Sequence, residues 1–390
     1  MNKTIKALAL LASVVLMGFA PVLADTAAPT VTVDGMVDAY YTYNFTNAAH
    51  GLNGVGNVGQ FWNTTDNSLS LGLAETKITA KQGAASAVVE LAYQDAANLG
   101  LPSGTNLDVL QAYASYTTGA WTLTAGRFTT WMGNEVVEPT SNMNYSHSLL
   151  FWYTIPIWNQ GIAVSYAFDS TLSITGYATD GFNANATSGN GFTYGGEAVY
   201  APNSTWKFIL NGIDGPGNSS VYGSFNAAKD KWVGEFIASY APTSDWTFGL
   251  DAEYGAQDIG FTRNWQTSFT APTKQINSWD FWGVALYAKY AIASDWSAAL
   301  RVEELDDVDG TLGVYGAQTP FNFGTGFTDA AREATLTVTH AVTPAWTVSA
   351  EGRYDYAPLF NGAVPTKTTG PFTAGSNDQV TATLSTAFVF

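Results

Sequence analysis

The sequence predicts an all-β protein, a transmembrane antiparallel up-and-down β-barrel of about 16 strands. Three observations support this prediction. Apolar and polar residues alternate along many segments, short and long connections alternate between those segments, and aromatic residues gather beside the short connections. Aromatic residues make up 14% of the chain and charged residues only 12%, an unusual balance for a soluble secreted protein. We therefore expect an apolar environment to cover much of the surface.

The amino terminus has the features of a secretory signal. Two lysines precede an apolar stretch from Ala7 to about Ala20, and Ala24 provides the small residue that a signal peptidase needs. We expect residues 1–24 to be a cleaved signal peptide and residues 25–390 to form a single barrel domain. The apolar stretch is shorter than the roughly 20 apolar residues that a spanning helix requires, and no later stretch reaches that length without polar interruption.

The charge balance and the absence of cysteine exclude several classes of function. The chain carries 15 basic and 32 acidic residues, a net charge of −17, and signal cleavage would remove two of the bases. This balance argues against nucleic acid as a partner. With no cysteine in the chain, neither disulfides nor thiolate metal sites are available. No cofactor is predicted.

Alternation is clearest in the segment TVTVDGMVDAYYTYNF (residues 30–45). Odd positions from Val31 to Phe45 are mostly apolar, whereas the even positions include Asp34, Asp38 and Asn44. The same pattern recurs in residues 246–254 and 346–353. Each run has about the 9 to 11 residues that a tilted strand needs to cross a bilayer. A soluble β-sandwich would also alternate, so the connections have to separate the two folds.

The connections favour the membrane barrel. Turns such as TTGA, APNST, APTSD, AIASD and AVTPA are short, and the intervening connections run from about ten to nearly thirty residues. Outer-membrane barrels have this asymmetry, with short periplasmic turns and longer outer loops. Tyrosine and tryptophan recur beside the short turns, as in Tyr200 and Trp206 or Tyr240 and Trp246, and this placement is typical of an aromatic girdle at the headgroup level.

We predict sixteen strands with both termini at the periplasmic end, and 14 or 18 strands as alternatives. The predicted ranges are 31–45, 68–81, 86–94, 107–117, 121–130, 160–168, 171–180, 191–200, 205–213, 231–240, 246–257, 279–291, 296–306, 332–342, 346–357 and 378–390. The second strand loses its alternation near Ala74 and Glu75, where a β-bulge is expected. A barrel of about sixteen strands encloses an aqueous channel.

The carboxy terminus, QVTATLSTAFVF, places Val380, Leu384 and Phe388 on one face and ends on Phe390. A final strand that closes on a carboxy-terminal phenylalanine resembles the signal read by the barrel assembly machinery of bacterial outer membranes. We therefore expect that machinery to be a partner of this strand. A plain last apolar strand is the alternative, and it also lies in the membrane.

The blocks VDAYYTYNF, NSLSLGLAE, LQAYASY, GRFTTWMGNEVVE, NYSHSLLFWYTIPIWNQGIAVSY and GYATDGFN are similar to successive blocks of the OmpL-like β-barrel porins of Gram-negative outer membranes. The resemblance is specific from Val37 to about Asn183, and beyond it only the general pattern of barrel strands continues. It implies a channel-forming barrel in the bacterial outer membrane, surrounded by lipid and lipopolysaccharide and permeable to small hydrophilic solutes. It assigns no binding residue.

Two functional classes remain, a diffusion pore and a structural or adhesive barrel whose loops bind a surface partner. An enzyme is not predicted, because His50, His147 and His340 stand in no recognisable nucleophile motif such as G-x-S-x-G. A weak divalent-cation site is an option at ELDDVDG (residues 304–310), although Leu305 spoils the first ligand position of a calcium loop. The choice between a monomer and a homotrimer stays open.

Residues on the predicted inner face give the lumen an acidic character. Nine acids and four bases alternate inward: Asp34, Asp38, Glu197, Glu235, Asp251, Glu253, Glu303, Glu351 and Asp355, against Lys207, Lys289, Arg301 and Arg353. Rings of acidic side chains favour cations, so we expect weak cation preference. Alternatively, some of these acids lie in wide vestibules where salt screens charges beyond about 10 Å.

The connection over residues 131–159 is the longest in the chain and is the candidate constriction. Its first half carries Glu135 and Glu138 and no lysine or arginine, and its second half, LLFWYTIPIWNQ, is too apolar to extend into water. We expect the second half to pack against the inner wall or to prolong the sixth strand. If the loop folds inward, both glutamates would approach wall cations such as Arg127, Arg301 or Arg353. An outward loop that binds divalent ions beside lipopolysaccharide is the alternative.

Together these arguments define the candidate pore-lining or constriction residues. They are Arg127, Glu135, Glu138, Lys207, Asp251, Glu253, Arg301, Glu303, Glu351 and Arg353. No catalytic and no metal-binding residue is predicted.

Overall fold

Sixteen antiparallel strands form a closed barrel, which confirms the predicted fold and strand number. The computed structural model describes residues 28–46, 57, 60, 63–94, 107–184, 191–216, 230–265, 274–307, 325–327, 330–357, 359–361 and 378–390. The predicted signal peptide, residues 1–24, lies outside the described residues. In the part of the chain that is described, no helix is long and apolar enough to cross a membrane.

Sixteen strands follow one another around the barrel in chain order, and the described residues contain eighteen strands in all. They are β1 (Thr30–Asn44), β2 (Ser68–Gln82), β3 (Ala85–Tyr93), β4 (Leu107–Thr118), β5 (Trp121–Thr129), β6 (Trp158–Ala167), β7 (Leu172–Thr179), β8 (Thr193–Tyr200), β9 (Trp206–Pro216), β10 (Asp230–Tyr240), β11 (Trp246–Trp265), β12 (Lys274–Ala293), β13 (Trp296–Asp306), β14 (Thr325–Phe327), β15 (Ala331–Thr343), β16 (Trp346–Tyr356), β17 (Leu359–Asn361) and β18 (Asp378–Val389). Strands β14 and β17 pair only with each other, and β1 closes the barrel by pairing with β18. A short helix, α1 (Leu149–Tyr153), lies between β5 and β6.

Short and long connections alternate as predicted. Seven connections contain two to five residues and lie at one end of the barrel, which we call the short-turn end. The other eight contain 8 to 28 residues, and the longest joins β5 to β6 over residues 130–157. The long connections therefore join the strands at the opposite end of the barrel, which we call the long-loop end.

The two faces of each strand differ as the alternation predicts. In β18, Gln379, Thr381 and Thr383 point inward and are buried, whereas Val380 and Leu384 point outward and are exposed. In β13, Arg301 and Glu303 are likewise buried inside while Leu300 is exposed outside. The outer face is thus apolar and the inner face polar, the arrangement that a barrel in lipid requires.

The repeated hairpin motif builds the aromatic girdle. The tryptophan that begins a strand packs against an aromatic residue near the end of the neighbouring strand: Trp206 stacks on Tyr240 at 4.1 Å, and Trp246 lies tilted against Tyr290 at 4.6 Å between ring centroids. Trp296 stacks on His340 at 4.3 Å in the same way. The tryptophan of each of these copies of the motif therefore pairs with the aromatic residue of the next copy, and such cross-strand pairs stabilise a sheet.

The last residue completes the closure of the barrel. Gly35 and Phe390 exchange two backbone hydrogen bonds of 2.9 Å. The Phe390 ring lies directly over Gly35, where a Cβ atom would come within 2.4 Å of the ring. An aromatic side chain packed over a strand glycine restores the contact that the glycine lacks. The carboxy-terminal phenylalanine thus has a structural role in the seam between β1 and β18.

The predicted bulge in β2 exists, a few residues before the expected position. The register between β1 and β2 shifts between Asp38 and Ala39, which pair with Leu73 and Leu71 and leave Gly72 as the extra residue. A Cβ atom at Gly72 would lie 2.1 Å from the Asp38 carboxylate. The bulge therefore makes room for the Asp38 side chain inside the barrel.

Arginine substitutions on the two faces provide a test of the barrel. We expect Leu300→Arg to cost about 2–4 kcal/mol of unfolding free energy, because Leu300 lies near the middle of β13 and faces outward. Ser349→Arg is the matched control, since Ser349 borders an internal cavity and has room for a solvated side chain. Denaturant unfolding of both variants in detergent or bilayers measures the difference. Equal destabilisation would contradict the assigned faces.

Candidate functional site

The connection between β5 and β6, residues 130–157, lies inside the barrel, and we call it the luminal segment. Its apolar residues, among them Met132, Val137 and Phe151, are buried together with inward-facing wall residues such as Leu73 and Phe281. Trp131 stacks on Tyr177 with a centroid distance of 3.8 Å and an interplanar angle of 7°. Its ring also covers Gly195, where a Cβ atom would come within 2.3 Å.

Wall carboxylates bind the backbone N–H groups of the luminal segment. Gly133 donates to Glu235 at 2.8 Å, and Asn134 donates to Asp251 at 3.1 Å. Further along, Tyr145 donates to Glu351 and Leu149 to Glu303, both at 2.8 Å. A buried loop has no sheet partner for its N–H groups, and hydrogen bonds to ionised acceptors are roughly twice as strong as neutral ones. The inward acids therefore anchor the segment.

Two wall arginines bind its carbonyl groups. Arg301 donates to the Ser146 oxygen at 2.6 Å and to the His147 oxygen at 3.2 Å. Arg353 donates to the same His147 oxygen at 2.7 Å and pairs with Asp355 at 2.8 Å. The fork of the guanidinium group lets one side chain bind a backbone oxygen and a carboxylate at once. Charged wall groups thus bind both N–H and carbonyl groups of the backbone between residues 144 and 150.

Glu135 forms a buried ion pair with Arg301. The two side chains are 2.6 Å apart, and both are almost fully excluded from solvent. Glu135 also accepts a 2.7 Å hydrogen bond from the backbone of Ser148, and Arg301 contacts Glu333 at 2.8 Å. Glu135 therefore meets one of the cations proposed for it. The pair is closed and leaves no gap between the two charges.

Glu138 behaves differently: the wall cation that it approaches is Lys77 and not one of the three candidate arginines, and it also lies beside two acids. Its carboxylate lies within 4.8 Å of those of Glu75 and Glu90, which face inward from β2 and β3. Lys77 is the nearby cation, 3.6 Å from Glu90. Burial and the negative charge of Glu90 raise the pKa of Glu138. The bulge in β2 and the pairing of β2 with β3 bring these acids together, an arrangement that the alternation of a single strand does not reveal.

The apolar second half of the segment does both of the things expected of it. Leu149 and Leu150 of α1 are fully buried against Leu305, Ala331 and neighbouring wall residues. Ser148 caps the helix by accepting a 3.0 Å hydrogen bond from the backbone of Phe151. Trp158 and Asn159 prolong β6, so the loop ends at residue 157, two residues earlier than predicted.

The remaining candidate residues occupy separate places. Arg127 donates to the Val109 carbonyl at 3.0 Å and lies 4.6 Å from the Trp158 ring. Lys207 is exposed near the short-turn end of β9. Glu253 faces inward from β11 and is buried.

Several contacts of the segment involve residues outside the candidate set. The Tyr145 hydroxyl donates to Asp38 at 2.8 Å, and Lys231 donates to the Thr154 carbonyl at 3.2 Å. Asp38 was already on the predicted inner face, and the alternation of β15 and β10 would have placed Glu333 and Lys231 there too. Which loop atom each one contacts depends on how the segment folds back across the lumen.

The surroundings of His147 also depend on how the segment folds back across the lumen. Its position in a long connection predicts an outer loop, yet it is buried in the luminal segment, where Nε2 contacts the Val136 carbonyl oxygen at 2.7 Å. Burial lowers the pKa of this histidine, so the ring is neutral at physiological pH. A neutral ring avoids adding a charge beside Arg301 and Arg353. The predicted calcium pattern at residues 304–310 lies partly outside the described residues, and Glu304 instead pairs with Arg332 at 2.8 Å.

A cavity of about 300 Å³ lies between the luminal segment and the short-turn end. Asn144 and Tyr145 line it from the segment, and Lys289, Ser349 and Ser385 line it from the wall. Its walls are mostly polar or small, which suits water and hydrated solutes. The segment thus separates this cavity from the part of the lumen beneath the long loops.

Comparison with known proteins gives a family and a fold. The family model described as "Putative beta-barrel porin-2, OmpL-like" matches residues 30–390, well beyond the stretch in which the resemblance is evident by eye. Comparison with curated proteins finds no match.

Among solved structures, the outer membrane channel DcaP of Acinetobacter baumannii is similar with a TM-score of 0.59 and 14% identity, covering 94% of this chain and 99% of that one. The trimer form of OmpT from Vibrio cholerae has a TM-score of 0.57 and 11% identity over 93% and 100% of the chains. The anion-selective porin from Comamonas acidovorans is similar with a TM-score of 0.54 and 12% identity, covering 93% of this chain and 100% of that one. At these identities the likeness is one of fold.

Removing Arg301 is expected to release the luminal segment. Arg301→Met leaves Glu135 and Glu333 buried without their cation, a loss of about 3–5 kcal/mol of unfolding free energy. Arg332→Met is the control, because its pair with Glu304 is about 40% exposed and such pairs contribute about 0–1 kcal/mol. Denaturant unfolding and limited proteolysis of residues 130–157 measure both effects. Similar behaviour of the two variants would contradict the anchoring role of Arg301.

The packing of the Trp131 ring against Gly195 can be tested by substituting Gly195 and its neighbour Gly196. Gly195→Val should displace the Trp131 ring and cost about 1–3 kcal/mol through overpacking. Gly196→Val should be tolerated, because Gly196 faces the outer groove between Gly176 and Gly212 and a Cβ atom there meets no atom closer than 3.7 Å. Tryptophan fluorescence, near-ultraviolet circular dichroism and denaturant unfolding report the result. Unchanged fluorescence and circular dichroism in the Gly195 variant would contradict the packing of Trp131 against Gly195.

Proposed function

Because the chain belongs to the OmpL-like β-barrel porin-2 family, we propose that it is an outer-membrane porin through which small hydrophilic solutes or ions diffuse. The observation that supports this most strongly is the luminal segment itself. It crosses the interior of a closed sixteen-strand barrel and is anchored to the wall on several sides. A segment in this position narrows the lumen and so sets the size and charge of what can pass. A barrel that acts through its loops alone has no need of such an anchor.

The charge inside the wall supports weak cation preference. Among the described residues, twelve carboxylates and two arginines are buried: Asp38, Asp66, Glu90, Glu135, Glu235, Asp251, Glu253, Glu303, Asp307, Glu333, Glu351 and Asp355, with Arg301 and Arg353. Buried charges are screened by salt much less than exposed ones. To the extent that these acids are ionised, their field reaches into the lumen and attracts cations.

The accessible charges limit the strength of this preference. Glu138 and Lys77 lie close to one another, and Glu197 lies close to Lys207. Acids and bases on the path are therefore nearly balanced, and the buried acids supply the excess. The fold does not decide the sign of the selectivity, since the similar porin from Comamonas acidovorans is anion-selective. The side chains of this chain have to decide it.

We further propose that the protein acts as a channel and not as an enzyme, since the inward side chains bind the luminal segment and His147 is held in that network. A homotrimer is the assembly to test first, because one structural relative, OmpT of Vibrio cholerae, is described in a trimer form. Chemical cross-linking or native mass spectrometry of the purified protein distinguishes a trimer from a monomer.

Planar-bilayer recording tests the proposed pore and its selectivity. We expect the purified protein to conduct and the reversal potential in a KCl gradient to favour potassium. Glu138→Gln should lower the ratio of cation to anion permeability by at most about fivefold, the factor that corresponds to ~1 kcal/mol of Coulomb energy in water. Glu135 is less suitable for this test, because its substitution also breaks the ion pair with Arg301.

Glu304→Gln is the matched control, since Glu304 forms an exposed pair with Arg332 and does not contact the luminal segment. Unchanged selectivity in Glu138→Gln would place Glu138 outside the permeation path. A folded barrel that never conducts would eliminate the porin function and favour an adhesive or structural role. A chloride preference in the wild-type protein would refute only the charge argument.

A further inference from the structure

We propose that Glu235, Asp251 and Glu253 bind one divalent cation, most suitably calcium, where the luminal segment joins the barrel wall. Glu235 of β10 lies directly opposite Glu253 of β11, and Asp251 points inward two residues before Glu253 on the same strand. One carboxylate oxygen from each of the three residues lies within 4.8 Å of the others. The cluster thus rests on two adjacent strands, which hold its geometry firmly.

The three carboxylates need a compensating charge. Their residues are 1–4% exposed, so water cannot separate the charges. Like charges directly opposite each other on neighbouring strands destabilise a sheet, and burial strengthens the repulsion. Lys231 interacts electrostatically with Glu253 of this cluster and also with Asp307. Its ammonium group donates to the Thr154 carbonyl at 3.2 Å and lies 4.9 Å from the Phe182 ring, so the lysine is not devoted to the cluster.

Unpartnered oxygens provide an independent indication of a ligand. Both carboxylate oxygens of Glu253 and Oδ1 of Asp251 are buried and accept no hydrogen bond among the described residues. The Thr154 hydroxyl beside Glu253 donates instead to the Leu150 carbonyl at 2.6 Å. The other oxygens of the cluster are used. Glu235 accepts from the Gly133 backbone and from the Asn211 side chain, and Asp251 Oδ2 accepts from the Asn134 backbone. Buried ionised oxygens without a donor are costly, and three of them meet in one place.

A cation satisfies these oxygens better than protons do. A proton added to Glu253 neutralises one carboxylate and can be donated to a neighbouring carboxylate oxygen, but the other two negative charges remain. A divalent cation is attracted by all three carboxylates and can bind the free oxygens together. Three ionised carboxylates carry a charge of −3, most of which one divalent cation balances, while Lys231 is shared with Asp307.

The donor set selects the kind of metal. All ligands are carboxylate oxygens, which suit hard cations and not the softer metals that prefer nitrogen or sulfur. Calcium binds oxygens at about 2.3–2.6 Å in flexible geometry, so two oxygens on opposite sides of the ion are separated by about 4.6–5.2 Å. The spacing within the cluster fits this limit. Magnesium binds at about 2.0–2.1 Å with near-ideal octahedral geometry and usually keeps several waters, so it fits less well.

The second acidic cluster, Glu75, Glu90 and Glu138, differs in ways that make it a control. Lys77 lies 3.6 Å from Glu90, and Gln111 donates to the same Glu90 oxygen at 2.5 Å. Glu75 and Glu138 are only half-buried, although Glu75 Oε2 and Glu90 Oε1 are buried without a hydrogen-bond partner among the described residues. In the described part of the chain this cluster, unlike the proposed site, has a cation at salt-bridge distance, and an amide donates to one of its carboxylates.

A bound cation would stabilise the start of the luminal segment. Glu235 and Asp251 accept the backbone N–H groups of Gly133 and Asn134, so a cation between these carboxylates would hold both in the orientation that binds the segment. The site would thus couple the occupancy of a metal ion to the anchoring of the segment. This inference does not depend on whether the barrel conducts.

Direct binding measurements on the wild-type protein test the proposal. The mature chain is refolded into a non-ionic detergent without lipopolysaccharide, treated with EDTA and dialysed, and calcium is then added in a calorimetric titration. We expect one calcium ion per chain, a higher melting temperature with calcium than with EDTA, and a smaller effect of magnesium. Absence of binding would overturn the proposal and would leave protons as the compensating charge.

Glu253→Gln is the decisive variant, because the Glu253 carboxylate makes no hydrogen bond that the substitution would break. We expect it to weaken calcium binding at least about tenfold, since the affinity of such sites follows the charge of their ligands. In EDTA its melting temperature should equal or exceed that of the wild type, because a buried repulsive charge is removed. A structural role alone would lower it.

Glu138→Gln is the control and should retain both the binding and the thermal shift. Equal calcium binding by wild type and Glu253→Gln, or loss of binding in Glu138→Gln alone, would overturn the proposal. Should Glu253→Gln fail to fold, Asp251→Asn removes a charge from the same cluster and keeps an oxygen toward Asn134. Retained wild-type affinity in that variant would equally refute the site.

Discussion

The structure depends on one constraint: a polypeptide segment that lies inside a barrel has to satisfy its backbone polar groups without a sheet or water. Here charged wall side chains provide the partners. Glu235, Asp251, Glu303 and Glu351 accept backbone N–H groups, and Arg301 donates to backbone carbonyls. An unsatisfied buried N–H or carbonyl costs about 1–3 kcal/mol, so each of these contacts compensates a penalty that the fold of the segment would otherwise carry.

The same contacts explain why the inner wall is so acidic. More N–H groups than carbonyl groups of the segment face the wall, and carboxylates are the matching acceptors. Carboxylates that bind N–H groups also bring negative charge into a poorly hydrated space, and the arginines compensate only part of it. The excess produces both the electrostatic field proposed for the lumen and the local repulsion among Glu235, Asp251 and Glu253. Structural anchoring and the proposed ion preference would therefore have a common physical origin.

The outer and inner faces of the strands have different structural roles. Outward residues form the barrel: apolar side chains face lipid, and the repeated tryptophans pair with aromatic residues of neighbouring strands, as Trp246 does with Tyr290. Phe390 packs over Gly35 and closes the seam. Inward residues add hydrogen bonds across the seam, such as Thr42 with Thr383, and also select the path of the luminal segment. The period of two along a strand lets a single sequence meet both requirements, because neighbouring residues face different surroundings.

The sequence by itself determined the sixteen strands, their ends within a few residues in most cases, and the face on which each side chain lies, because alternation and turn chemistry are local properties of the chain. It also identified the longest loop as exceptional, since LLFWYTIPIW is too apolar for water. Only the tertiary structure decided which charges meet. Glu135 reaches Arg301, whereas Glu138 reaches two acids, because the direction of the segment across the lumen results from contacts between residues more than a hundred positions apart. The bulge at Gly72 and the meeting of Glu235 with Glu253 depend on the register between strands, which no single strand specifies.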